Sequence, residues 1–150
     1  MVEDAPVDPR GPRFTAWVTA VVLAVVLLTG WWPLLAAQAL VFAASGLVSL
    51  NLNPWGQVYR LVVRPRLAPT SEREDAAPLR FAQTVGFAFT LVGTVGYATG
   101  STGVGIVATS FALVAALLNA AFAFCLGCEA YLLLRRFAPA PVRRQQKIEK

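Results

Sequence analysis

The chain has 150 residues, 57% of them hydrophobic and 14% charged, with a formal net charge of +5. That is the length of one domain, and its charged fraction is well below the roughly 25% of an ordinary soluble domain, so lipid is the expected solvent. Two cysteines exclude an extracellular disulfide framework, and the lack of histidine, with Met1 the sole methionine, removes the usual haem and zinc ligands.

Residues 1–13 are acidic first and proline-rich, where a secretory signal would be basic, so none is expected. Residues 14–50 then carry no charged side chain. As one helix that run would measure about 55 Å at ~1.5 Å per residue, too long for one crossing of a ~30 Å hydrocarbon core. Thr29-Gly30-Trp31-Trp32-Pro33 interrupts it, because Gly and Pro break helices and paired Trp residues favour the interface. The spacing predicts helices over 14–29 and 34–50. Residues 51–79 form a polar connection with Arg60, Arg64, Arg66 and Arg73 against Glu72, Glu74 and Asp75. Its first part, 52–63, mixes Trp55, Tyr59, Leu61 and Val62 with Arg60 and suits the headgroup level; Pro65 to Pro78 reads as a loop. A third helix is expected over 80–98, a turn at Thr99–Gly103, and a fourth helix over 104–124. An interfacial helix and a basic tail fill 125–150, with Arg135, Arg136, Arg143, Arg144, Lys147 and Lys150.

The expected fold is therefore all-α: one integral membrane domain over 1–150, with four transmembrane helices as two hairpins. All 13 Lys and Arg residues fall in the N-terminal segment, the central connection with the start of helix three, and the tail. Neither tight turn has any, so the positive-inside rule puts both termini and the connection in the cytoplasm. The cations flank apolar runs and no basic helix carries interleaved aromatics, which speaks for an anionic membrane face and against nucleic acid. Gly86, Gly93 and Gly96, with Ala108, Ala112, Ala115 and Ala116, give helices three and four small faces for close packing. Gln38, Gln83 and Asn119 are polar inside the spans and are expected to hydrogen-bond neighbouring helices.

The two hairpins resemble each other. Pro12-Arg13-Phe14 opens the first, and Pro78-Leu79-Arg80-Phe81 the second. Placing Tyr59 on Tyr131 superposes Gly56 on Cys128, Gln57 on Glu129 and Arg64 on Arg136. A parallel repeat about an axis along the membrane normal would set Asn53-Pro54-Trp55-Gly56 beside Cys125-Leu126-Gly127-Cys128.

Cys125 and Cys128 are the one candidate for chemistry. At i and i+3 of a helix they share a face, and Gly127 between them eases the distortion a disulfide needs. Helix four regains the level of Arg80 near Phe122, so the pair falls at the cytoplasmic interface. Three readings compete: small apolar packing residues, a redox dithiol, and metal ligands. Two thiols and Glu129 fall short of a structural zinc set, so a metal would need two subunits, and Glu129 in place of His excludes c-type haem attachment. Late in a helix and beside Glu129, the thiols are not expected to favour the thiolate, although Arg80 on the neighbouring helix could oppose both effects. Glu129 reads either as a proton acceptor or as a solvated interfacial carboxylate.

At these residues the chain resembles bacterial four-helix membrane proteins catalogued as domain of unknown function 4395. The resemblance rests on Asp8-Pro9-Arg10-Gly11-Pro12-Arg13-Phe14, on Asn53-Pro54-Trp55-Gly56 with Arg64-Pro65-Arg66-Leu67, on Arg80-Phe81-Ala82-Gln83, and on Phe124-Cys125-Leu126-Gly127-Cys128-Glu129. It implies the bacterial cytoplasmic membrane and a role in thiol or sulfur handling, because some members look to be encoded near thioredoxin-like or sulfurtransferase proteins. The expected function is then a membrane component of thiol–disulfide or sulfur chemistry. Cys125 and Cys128 would cycle with such a cytoplasmic partner, with Glu129 as proton acceptor and Asn53, Pro54, Trp55, Gly56 and Arg80 at the docking surface. The rivals are a small homo-oligomeric transporter or channel lined by Glu129, Asn119 and Gln83, and a non-catalytic scaffold for a soluble enzyme. No cofactor is implied, and no ring-binding signature for a quinone appears.

Overall fold

A computed structural model describes residues 5–138; the end of the basic tail, with Arg143, Arg144, Lys147 and Lys150, lies outside the described residues. The described chain is all-α. Helix α1 spans Arg10–Thr29, and α2 spans Trp32–Ala43 and runs on as a π turn over Ala44–Val48. Helix α3, Pro54–Val58, continues through a π turn at Tyr59–Val63 and a 3-10 turn at Arg64–Arg66. Then come α4, Ala76–Ala98, α5, Thr102–Phe122, and α6, Leu126–Phe137.

Three helices, α1, α4 and α5, are long and apolar enough to cross a membrane. The expected fourth is not of that kind. The segment Trp32–Val48 is about 25 Å long at ~1.5 Å per residue, short of a ~30 Å core. It stops because Ser49 is extended (φ −158°, ψ 142°) and turns its hydroxyl to cap the next turn, accepting from the Asn51 N–H at 3.2 Å. The helices start earlier than expected, and α5 ends at Phe122. Helix α1 starts at Arg10 and α4 at Ala76, inside the stretch read as loop. Pro12 and Pro78 fall in their first turns, where a missing N–H costs nothing. Trp32 opens α2 instead of sitting in the turn.

Helix α1 packs chiefly on α5, α2 on α4, and α4 on α5, while α6 crosses α4 and α3 lies against α1. Leu23, Val26, Leu35 and Ala112 form the core cluster. The small residues do bring backbones together: a Cβ on Gly96 would lie 2.7 Å from the Gly105 N, and Ala108 and Ala112 are buried. Gln38 is buried and donates to Thr19 Oγ1 of α1 at 3.5 Å, as a buried amide should. Gln83 differs, because its Oε1 is buried with no hydrogen-bond partner. Outward, Val21, Leu40, Val107 and Phe111 are exposed, an apolar surface compatible with a lipid bilayer.

The N-terminal segment is tied to the connection by an antiparallel bridge, Val7 to Glu74. Beside it the buried Asp8 carboxylate accepts from the Arg10 N–H at 3.0 Å, from its guanidinium at 3.2 Å and from the Tyr59 hydroxyl at 3.2 Å. Burial alone would raise the Asp8 pKa; the hydrogen bonds and charge of Arg10, with Tyr59, outweigh it and hold the carboxyl below its usual 3.8. A lowered carboxylate stabilises the fold fully above its unfolded pKa, and that contribution disappears as pH falls through the lower folded value. Asp8→Asn is expected to cost about 1–3 kcal/mol at pH 7. Thermal unfolding of the detergent-solubilised protein should show wild type and variant converging below pH 3.8; a constant gap down to pH 2 would refute the assignment.

Candidate functional site

Helix α5 ends at Phe122 because Ala123 takes the left-handed conformation (φ 54°), with the Ala123 N–H on the Asn119 carbonyl at 3.1 Å and the Phe124 N–H on the Leu118 carbonyl at 3.2 Å. The chain then restarts. Cys125 is extended and is the N-cap of α6, its Sγ accepting from the Cys128 N–H at 3.2 Å, and its carbonyl accepts from the Glu129 N–H at 3.0 Å. Cys125 and Cys128 are joined as a disulfide with Cα atoms 5.2 Å apart.

This overturns the expected electrostatics. The cysteines begin a helix instead of ending one, so the α6 dipole is positive at the sulfur. With the Cys128 N–H aimed at Sγ, negative charge on Cys125 is favoured once the bond is reduced. Glu129, exposed in the first turn, sits at the end of the helix that suits an acid. Gly127 has a different task from the one expected. A Cβ there would lie 2.6 Å from both Ala82 Cα and Ala82 Cβ, so its bare Cα lets the first turn of α6 close on α4. Phe81 and Tyr131 pack behind it, ring centroids 5.6 Å apart.

The disulfide stands between two unlike spaces. On one side is a polar cleft of about 430 Å³ that both cysteines line, together with Arg10, Arg13, Glu74, Asp75 and Glu129. On the other is a largely apolar cavity of about 320 Å³ inside the bundle, which Cys125 lines and Cys128 does not.

The remaining residues expected at the site lie elsewhere. Asn53 N-caps α3, its Oδ1 accepting from the Trp55 N–H at 3.0 Å and the Gly56 N–H at 3.3 Å. The Trp55 indole donates to Gln38 Oε1 at 3.4 Å, and Pro54 fills the first position of α3. None of these four lines either space beside the disulfide. Arg80 donates to the Gly46 carbonyl at 3.3 Å and the Leu47 carbonyl at 3.4 Å, at the end of the α2 π turn, and is not among the residues that line either space beside the disulfide. The cations that do line the cleft, Arg10 and Arg13, were passed over as anchoring charges. The signal for Arg13 is its match to Arg80 in the two hairpins; that for Arg10 is its place in the Asp8–Phe14 motif. Among the described residues no group of three or more His, Cys, Asp and Glu is placed to hold a metal ion.

Seating of α6 on Ala82 is testable. Gly127→Val is expected to lift the first turn, costing about 1–3 kcal/mol, and to speed alkylation of the reduced cysteines several-fold in vesicles. Unchanged alkylation kinetics would mean that the contact does not hold the site.

No curated protein and no solved structure matches the chain. The family model described as domain of unknown function (DUF4395) matches residues 7–136. That span takes in both hairpins, the connection and the cysteine pair, so the chain belongs to the DUF4395 family.

Proposed function

We propose that this protein is a membrane component of thiol–disulfide or sulfur-handling chemistry, with Cys125 and Cys128 as its redox pair. The observation that carries the reading is the placement of Cys125: an N-cap whose sulfur accepts a backbone N–H, bonded to Cys128, and open to a polar cleft. A helix N-terminus stabilises the thiolate that exchange requires. The cleft carries both signs of charge and suits a soluble protein partner, thioredoxin-like or a sulfurtransferase.

In exchange, a partner thiolate attacks Cys125 Sγ, the Cys125–Cys128 bond breaks, and Cys128 leaves as a thiolate. A second partner thiol then attacks the partner's own sulfur and releases Cys125. The partner is oxidised to a disulfide, the pair gains two electrons, and two protons follow. Exchange is reversible: in Cys128→Ser the Cys125 thiolate attacks an oxidised partner's disulfide, expels the partner's second thiolate and, with no Cys128 to resolve it, should accumulate as an adduct that reductant dissolves, at least fivefold above wild type. If neither this variant nor Cys125→Ser traps a protein, the exchange reading fails.

The bilayer arrangement belongs to the same proposal: Trp32–Val48 crosses a locally thinned bilayer as the fourth span, and the cysteines face the cytoplasm of a bacterial cell. Likeness between particular contacts of the two halves supports it. Phe14 pairs with Tyr59 at 5.9 Å as Phe81 pairs with Tyr131, and Asn53 caps α3 as Cys125 caps α6. The interfacial reading of α6 is supported by exposed Leu133, Leu134 and Phe137 alternating with Arg135 and Arg136. A reporter active only outside the cytoplasm should be silent when fused after Lys150 and active when inserted between Gly100 and Ser101. The reverse pattern would overturn the orientation.

A further inference from the structure

A cysteine pair that oxidises partners in turnover has to hand two electrons onward, and the cavity behind Cys125 has the features of the place where they go. It lies among α1, α4 and α5, walled by Ala16, Gly86, Ala112, Ala115 and Ala116, so small side chains at helix crossings leave the space open. Its volume of about 320 Å³ is at the lower end of small-molecule sites, roughly 300–1,000 Å³. The cavity contains no charged side chain, which disfavours a phospholipid headgroup. Two residues with carboxamides line it, Gln83 and Asn119, each also bordering a neighbouring cleft, and the Gln83 Oε1 is buried without a hydrogen-bond partner. Cys125 stands at its end.

The cavity also has an extension. Phe89 and Phe111, stacked with centroids 5.9 Å apart, border both it and a second groove of about 510 Å³ between α4 and α5. That groove is lined by apolar side chains and glycine alone, among them Val92, Val104, Val107 and Ala108, and it reaches the start of α5 at the far end of the bundle.

We propose that the cavity binds the ring of an isoprenoid quinone, with the tail along the α4–α5 groove, and that this quinone is the two-electron acceptor for the Cys125–Cys128 dithiol. This inference rests on the exchange reading and names its oxidant. A carboxamide suits both redox states of such a ring: its N–H donates to a quinone carbonyl, and its oxygen accepts from a hydroquinone hydroxyl. A plain acyl chain would use neither amide. The reaction balances on the residues present. The Cys125 thiolate adds to a ring carbon, and Cys128 attacks Cys125 Sγ. The S–C bond breaks, its electron pair stays on the ring, and the S–S bond forms. The two thiol protons end on the two ring oxygens.

The test uses the full-length protein in lipid nanodiscs, reduced and freed of reductant, with a decyl-substituted benzoquinone as probe. Quinone bleaching in the ultraviolet and disulfide formation by alkylation are followed together. One quinone should be consumed per disulfide, at a rate that saturates with quinone. Ala115→Phe, which fills the cavity, and the near-isosteric Gln83→Leu should each raise the half-saturating concentration at least tenfold. Exchange of the reduced pair with a small soluble disulfide, which enters by the cleft, should keep its wild-type rate in both. A rate linear in quinone, or equal in wild type and both variants, overturns the quinone site and leaves the exchange reading standing. A pair that exchanges with neither the quinone nor the soluble disulfide takes down both.

Discussion

A helix that ends in or beside an apolar medium leaves its last carbonyls and first amides without water, and each must find a partner within the protein. Here those partners come from across the fold. Arg80, on α4, donates to carbonyls at the end of the α2 π turn, and Arg13, on α1, reaches the Ala120 carbonyl at the end of α5 at 3.4 Å. Each of the first helices therefore closes the terminus of a helix from the other hairpin. The polar side chains within the helices follow the same rule: Thr90, Thr109 and Ser45 return their hydroxyls to carbonyls one turn back at 2.7–2.8 Å. Where the chain restarts, Asn53 and Cys125 serve as N-caps. The candidate site grows out of this requirement, because the atom that satisfies an α6 amide is the sulfur of Cys125.

The same constraint explains the two-sided setting of the disulfide. Since α5 ends at Phe122 and α6 turns to cross α4, the cysteines occupy the elbow between a helix that runs through the bundle and one that crosses its end. An elbow necessarily has an inner and an outer face. Arg10, Arg13 and the acidic end of the connection furnish the outer one, held in place by the Val7–Glu74 bridge and by the Asp8 clamp. The inner one is walled by the alanines and glycines that allow the helices to approach, so tight packing elsewhere and open space beside Cys125 have one origin.

Much of the fold was legible as charge-free runs bounded by breakers. Gly30 ends α1 in a left-handed cap (φ 67°), and Gly100 (φ 82°) makes the other tight turn. What was not legible had no side-chain signature. Ala123 adopts the left-handed conformation although alanine gives no sign of it, and from the sequence α5 runs on through the cysteines. That single backbone choice inverted the dipole argument. The small Gly127 was recognised, but its purpose depends on Ala82, a contact 45 residues away that no local pattern encodes. Pairing of the NPWG and CLGC segments was legible as similarity, yet likeness of position in two halves does not imply contact, and Asn53 stays apart from the disulfide.

Cys125 Sγ is both the acceptor that starts α6 and one half of the S–S bond, so one atom serves the helix and the disulfide together. Loss of an N-cap is worth on the order of 1 kcal/mol. Loss of Cys125 would therefore loosen the opening turn of α6 just where Gly127 rests on Ala82. Loss of Cys128 would break the S–S bond and leave the cap, because the N–H that it supplies belongs to the backbone.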